Sequence, residues 1–285
     1  MDLAGWTEGA GDDVTLTAGG FLIGLVFGAA AQQSRFCLRS AVIEFSQRRL
    51  GDKVAVWALA FSTAVLTTQG LIAFGLLDVG QARQLAARGS MSGAIVGGAM
   101  FGCGMILARG CASRLLVLSA TGNLRALVSG LILTLVSQAA LRGVLSPARE
   151  WLGALWTIDG GPARNLLRLV HAGAPLGVLL GLSWLAIGAV LARRNAVSGR
   201  RVTGAVVVGL AITGGWLVTW LISSVAFAPV AIKSVSFTGP SADTLMALIN
   251  SPTVSLGFDI GLVPGVFLGS GLAALLTGEM KLEGY

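Results

Sequence analysis

The stretch VTLTAGGFLIGLVFGAAA, residues 14–31, carries no charged side chain. It is close to the roughly 20 residues that an α-helix needs to cross about 30 Å of hydrocarbon. Six further stretches of similar character follow, near residues 54–77, 91–108, 124–145, 175–192, 204–227 and 254–277. The expected fold is therefore an all-α polytopic membrane protein with about seven transmembrane helices. One domain, residues 1–285, is expected to hold the whole activity, with no soluble module.

Composition agrees. Apolar residues make up 54% of the chain and charged ones 12%, whereas soluble proteins carry about 25% charged residues. Mean hydropathy is +0.81. A net charge of +7 would suggest nucleic acid in a soluble protein. Here the basic residues sit between apolar stretches instead, where they orient the spans. Arg48, Arg49 and Lys53 precede the second span, Arg109, Arg114 and Arg125 follow or open onto the third and fourth, and Arg193, Arg194, Arg200 and Arg201 follow the fifth. Alternating spans bring all three groups to one side, and the positive-inside rule makes that side cytoplasmic. Asp2, Glu8, Asp12 and Asp13 precede the first span with no basic run, so a cleaved signal peptide is not expected.

Glycine is abundant, at 41 residues, and much of it recurs every fourth position: Gly20, Gly24 and Gly28, then Gly257, Gly261, Gly265 and Gly269. Residues four apart share a helix face, and a glycine face lets two backbones approach closely. Such packing is common in bilayer helices and is not by itself a functional signal. Residues 34–47, 109–123 and 228–252 are mixed in polarity, and the first two are too short to cross. They read as re-entrant half-helices, and an internal pseudo-repeat is among the arrangements this pattern allows. Irregular backbone at membrane depth is tolerated only where protein or a wet cavity satisfies it, which points to a pathway. Residues 150–173, with Trp151, Trp156, Arg149 beside them and His171 among them, read as an interfacial segment.

Two segments carry the candidate chemistry. In Ser34-Arg35-Phe36-Cys37-Leu38-Arg39-Ser40, Arg35 and Arg39 are four apart and would share one face of a short helix, with Cys37 between them. The bland alternative has both arginines snorkelling to headgroups and Cys37 packing as a small apolar residue. In the second, residues 97–114, glycines crowd around Cys103 and run on to Arg109, Gly110, Cys111 and Arg114. Gly110 is expected to break the helix, so that a new half-helix presents backbone N–H groups to an anion. A third segment, residues 233–241, offers Lys233 and several hydroxyls, either lining the same route or forming a solvated loop. Asp259 inside the last span is expected to pair with an arginine or mark an ion route. The three cysteines form no disulfide framework and no zinc pattern, so neither metal nor cofactor is expected. No phosphate-binding GxxxxGK[ST] loop occurs, which argues against ATP-driven transport by this chain alone.

Taken together, Arg-Phe-Cys at 35–37, Gly-Gly-x-x-Phe-Gly at 97–102, Ala-x-Gly-Cys at 108–111, Lys-Ser-Val-Ser-Phe-Thr-Gly-Pro at 233–240 and Leu-x-Gly-Glu-x-x-Leu-Glu-Gly at 276–284 resemble the YeeE/YedE sulfur-transport family. The resemblance covers nearly the whole chain. It implies a bacterial inner-membrane importer of a sulfur anion, chiefly thiosulfate, with Cys37 and Cys111 matching loop cysteines that contact the ion in turn. Cys103 stands where the family pattern more often has another residue. A cytoplasmic TusA-like sulfurtransferase is a partner the resemblance suggests. The family also continues past the Leu-Glu-Gly run into a second Gly-Cys hairpin that is not found here, so an altered path or a shortened chain is expected.

The handover expected on these residues is non-covalent. A thiolate would repel a dianion, whereas a thiol in apolar surroundings keeps its proton and can donate weakly. Weak contacts in series let an ion enter and leave. Other readings are a carrier of a different sulfur or selenium species, a membrane thiol sulfurtransferase with Cys111 as nucleophile, and a scaffold without its own substrate.

Overall fold

The computed structural model describes residues 11–169, 172–226, 228–250 and 254–284. Among these, seven helices are long and apolar enough to cross a membrane. In chain order they contain α1 (Asp12–Ser34), α3 (Asp52–Ala73), α5 (Met91–Leu107), α7 (Leu124–Arg142), α10 (Ala174–Arg194), α11 (Gly199–Val225) and α13 (Phe258–Leu276), the first and third running on to Ser46 and Ala120. Shorter helices lie between them: α2 (Leu38–Ser46), α4 (Arg83–Ala86), α6 (Ala112–Ala120), α8 (Ser146–Ala154), α9 (Leu166–Leu169) and α12 (Thr238–Asn250). The protein is an all-α polytopic membrane protein. Its only described strands, β1 (Gly89–Ser90) and β2 (Thr157–Ile158), form one short antiparallel pair.

The exterior has the character of a lipid-facing surface. Leu131, Ile132 and Leu135 on α7, and Leu179, Leu182 and Ile187 on α10, are all exposed. In water such a continuous apolar belt would drive aggregation; in lipid it is the favourable state.

With little hydrophobic force between helices in lipid, close packing must hold the bundle. The seam between α1 and α13 does this. A Cβ on Gly24 would lie 2.4 Å from the Leu262 carbonyl oxygen, and one on Gly265 would lie 2.3 Å from that of Phe21. Gly20, Gly28, Gly261 and Gly269 repeat the pattern, and the ascending order of partners makes the two helices parallel. Gly257 is not part of this seam: it is the N-cap of α13, with nothing close to where its Cβ would be. The glycines at 97, 98, 102 and 104 of α5 likewise face open space.

Helix α11 runs antiparallel to α1, with Gly204 against Ala30 and Ser34 and Gly214 against Ile23. It runs parallel to α3, where Thr213 Oγ1 lies 2.6 Å from Thr67 Oγ1 and 3.0 Å from Thr68 Oγ1. Helix α10 lies antiparallel to α3, with Gly181 against Leu66 and Gly188 against Leu59. These directions agree with strict alternation. At the basic end Arg201 donates to Asp52 at 2.7 Å and to the Ser34 carbonyl at 3.4 Å, tying the start of α11 to the end of α1 and the start of α3.

Several boundaries differ from the sequence expectation. Helix α3 stops at Ala73 rather than at residue 77, because Gly75 takes a left-handed φ of 69° and the Leu76 N–H bonds back to Leu71. That closure satisfies the last carbonyls and ends the helix. Helix α11 begins at Gly199, five residues early, because Arg200 and Arg201 fit its first turn, the latter ion-paired. Helix α13 begins at Phe258 rather than at residue 254. Between 150 and 169 the chain forms the end of α8, strand β2, a single 3-10 turn at Gly161–Arg164 and α9, and His171 lies outside the described residues.

Candidate functional site

Two spans break in the same way. Helix α1 ends at Arg35, whose φ is 54°; Cys37 then caps the nine-residue helix α2. Helix α5 is followed by Arg109, with φ 58°, and Cys111 caps the nine-residue helix α6. Each short helix is then closed by a left-handed residue, Arg48 at 57° and Gly122 at 97°, before the next span begins. The corresponding residues are 74 positions apart. This is an internal structural repeat of span, break, half-helix and span.

A left-handed residue at a helix end is ordinarily glycine, since a Cβ there costs roughly 1–2 kcal/mol. The first break uses the full closing pattern: Arg35 N–H bonds to Gln32 at 3.1 Å and Phe36 N–H to Ala31 at 3.1 Å. The second break turns on Arg109, not on Gly110 as expected from the sequence; Gly110 is buried beside Leu115. Arg35 and Arg39 do not share a helix face either. Arg35 occupies the turn, and only Arg39 belongs to α2, half-buried, with its Nε buried and without a hydrogen-bond partner.

The breaks place both cysteines at helix starts that no side chain caps. Such a start carries a partial positive charge that favours an anion. Both thiols are free and half-buried. The Cys111 sulfur lies 3.2 Å from Ser113 Oγ. Arg114, in the first turn of α6, lies within electrostatic reach of Cys37, Cys111, Arg35 and Glu279, and the last two are ion-paired at 3.2 Å. The Nη1 of Arg114 is buried and makes no hydrogen bond.

Two cavities are lined by sequence neighbours of the cysteines, though not by the five groups themselves. One of about 180 Å³, lined by Ala112, Ser119, Thr134, Ser241, Thr244 and Phe267, begins at the residue after Cys111. Another of about 410 Å³, lined by Phe36, Trp57, Phe61, Thr68, Gln69 and Trp216, begins at the residue before Cys37. Gln69 also lines a third opening of about 810 Å³ towards the end of the bundle away from the basic loops.

The other candidates lie elsewhere. Cys103 is exposed on α5, whereas Cys37 and Cys111 are half-buried. Arg109 is exposed at the break itself. Lys233 donates to Asp259 at 2.6 Å, so the acid in the last span is paired with this lysine and not with an arginine. The segment carrying Lys233 is not a solvated loop. Lys233 N–H and C=O both bond to Thr219 Oγ1, Ser234 Oγ donates to the Ile212 carbonyl, and Phe237 lies against Phe27 with ring centres 5.2 Å apart. It is irregular backbone tied to α11 and leading into the start of α12.

Sequence reasoning passed over Gln32, Ser113 and Glu279. The repetition of Arg-x-Cys at 35–37 and 109–111 was the available signal for a repeated break. Glu279 is remote in sequence from both, and only the parallel packing of α1 and α13 brings it near.

A family model described as sulphur transport matches residues 33–285. The chain is also similar to a protein named thiosulfate transporter TsuA from Spirochaeta thermophila. The two are 29% identical over 303 residues, covering 93% of this chain and 79% of the relative.

Proposed function

The chain belongs to the sulphur-transport family, and on that footing we propose that it imports a small inorganic sulfur anion, thiosulfate before any other, through one transport domain. The observation that carries the reading is that Cys37 and Cys111 each stand at the uncapped start of a half-helix, both within electrostatic reach of Arg114. A soft sulfur end meets polarisable thiols there, while the oxygens meet guanidinium groups and backbone N–H donors.

The handover is a succession of weak S–H contacts and not covalent chemistry. Cys37 and Cys111 act as neutral donors in turn, with Arg35, Arg39, Arg109 and Arg114 offsetting the dianion's charge. Gly110 packs between the Arg109 turn and Cys111, Lys233 serves the route from the other side of the bundle, and Cys103 is peripheral. Binding that is individually weak suits passage, because a tightly held ion does not leave. The basic end faces the cytoplasm of a bacterial inner membrane, where a TusA-like sulfurtransferase would receive the ion. The protein is a transporter and not a catalyst.

Radiolabelled thiosulfate uptake into proteoliposomes tests this, comparing the wild type with Cys37→Ala and Cys111→Ala. Uptake by the wild type that falls in both variants is the expected result. Equal uptake by all three removes the cysteine relay, and no uptake above empty vesicles removes the importer. A persulfide trapped on either cysteine during turnover would replace the non-covalent handover by a covalent one.

A further inference from the structure

A carboxylate is hydrogen-bonded at the first break. Glu279, in the turn after α13, accepts a hydrogen bond from Gln32 Nε2 at 2.9 Å on one oxygen and from Arg35 Nη2 at 3.2 Å on the other. It also acts electrostatically on Arg114, whose buried Nη1 has no hydrogen-bond partner. Gln32 is only 8% exposed, and its Oε1 is unpaired as well, so a buried amide is turned towards this spot with its donor committed to the carboxylate. One amide and one guanidinium on the two carboxylate oxygens, with the Arg114 guanidinium within electrostatic reach, make a donor set that suits an oxyanion equally well.

The structure also explains how Glu279 is brought there and how it can leave. Gly278 takes a left-handed φ of 68°, and the Glu279 N–H bonds back to Ala274, closing α13. The following residues then pair with the α6–α7 turn: Lys281 N–H bonds to Thr121 at 3.2 Å, Glu283 N–H to Gly122 at 3.1 Å and Leu124 N–H to Glu283 at 3.1 Å. The backbone is therefore anchored independently of the carboxylate. The Arg35–Glu279 pair itself is well exposed, 63% and 38% for the two side chains. An ion pair so open to water is weak and exchangeable.

We propose that Glu279 is an internal counter-anion that fills the oxyanion half of the substrate site in the empty protein, and that Gln32, Arg35 and Arg114 are the donors thiosulfate takes over when Glu279 swings away. The proposal rests on the transport reading above and deepens it, assigning Gln32 and Glu279 to the site. Competition by a tethered carboxylate keeps affinity low, which favours release on the far side.

The test is equilibrium thiosulfate binding by calorimetry on purified full-length protein, for the wild type, Glu279→Gln, Glu279→Asp, Arg35→Gln and the double variant Arg35→Gln/Glu279→Gln. Removing the competing charge should tighten binding about fivefold in Glu279→Gln, the scale of an exposed ion pair. A smaller gain is expected in Glu279→Asp, which retains the charge but shortens its reach and stands in if the glutamine variant does not fold. In the Arg35→Gln background the gain should shrink, because the donor contested by carboxylate and substrate is gone. Equal or weaker binding in the folded Glu279 variants, or a full gain without Arg35, overturns the counter-anion while leaving the transport reading intact. No thiosulfate binding by the wild type overturns both.

Discussion

The backbone of Arg109 repeats that of Arg35: both are left-handed, at 58° and 54°, and each stands two residues before a cysteine that starts a nine-residue helix. A left-handed arginine is tolerated where a glycine would be at ease. Replacing Arg109 by glycine should therefore raise stability by about 1 kcal/mol, and replacing it by valine should lower stability by a similar amount. Thermal melting in detergent, followed by tryptophan fluorescence, reads both. If valine proves as stable as glycine, the turn does not depend on that conformation.

The α1–α13 seam predicts a sharp contrast among glycines. Gly24→Ala and Gly265→Ala should each destabilise by about 1–3 kcal/mol, because the new methyl group meets a backbone oxygen that cannot yield. Gly98→Ala and Gly102→Ala meet nothing within 4 Å. They should be neutral, or stabilise by up to about 1 kcal/mol through helix propensity. Equal melting temperatures across all four would mean that the seam is looser than described.

Lys233 and Asp259 should behave as a unit. Their side chains are 29% and 17% exposed, so removing one partner strands a charge in a poorly hydrated place. Asp259→Leu or Lys233→Met alone should cost about 3 kcal/mol, while the pair Lys233→Met/Asp259→Leu should recover most of the loss. A double-variant cycle on melting temperature measures this, and additive losses would show that the pair contributes no coupling.

Cysteine substitutions should separate by position. Cys103→Ala should leave thiosulfate uptake near the wild-type rate, since Cys103 is exposed on α5 whereas the other two cysteines are half-buried. Cys37→Ala and Cys111→Ala should reduce it by up to about tenfold each, the value of one lost hydrogen-bond donor at the upper end. A Cys103→Ala variant as impaired as the other two would place the route along α5 instead.

Much of this architecture was legible in the residues alone. Uncharged runs of span length must be helical in lipid, because no water is present to satisfy an open backbone. The four-residue glycine spacing likewise marked which faces of α1 and α13 meet, since helical geometry puts those positions on one side. The cysteine-bearing breaks were visible as mixed-polarity stretches too short to cross.

What only the tertiary structure decided is which charges face one another. Local pattern put Arg35 on a helix face and left Asp259 either to an arginine or to an ion route; the fold put Arg35 in a left-handed turn against Glu279 and paired Asp259 with Lys233. Gln32 and Glu279 lie 247 positions apart and meet because α1 and α13 run parallel and end at the same level. Backbone hydrogen bonding and apolar periodicity act within a few residues, so a single segment displays them. Electrostatic partnership between segments depends on helix direction and register, which exist only once the whole bundle has packed.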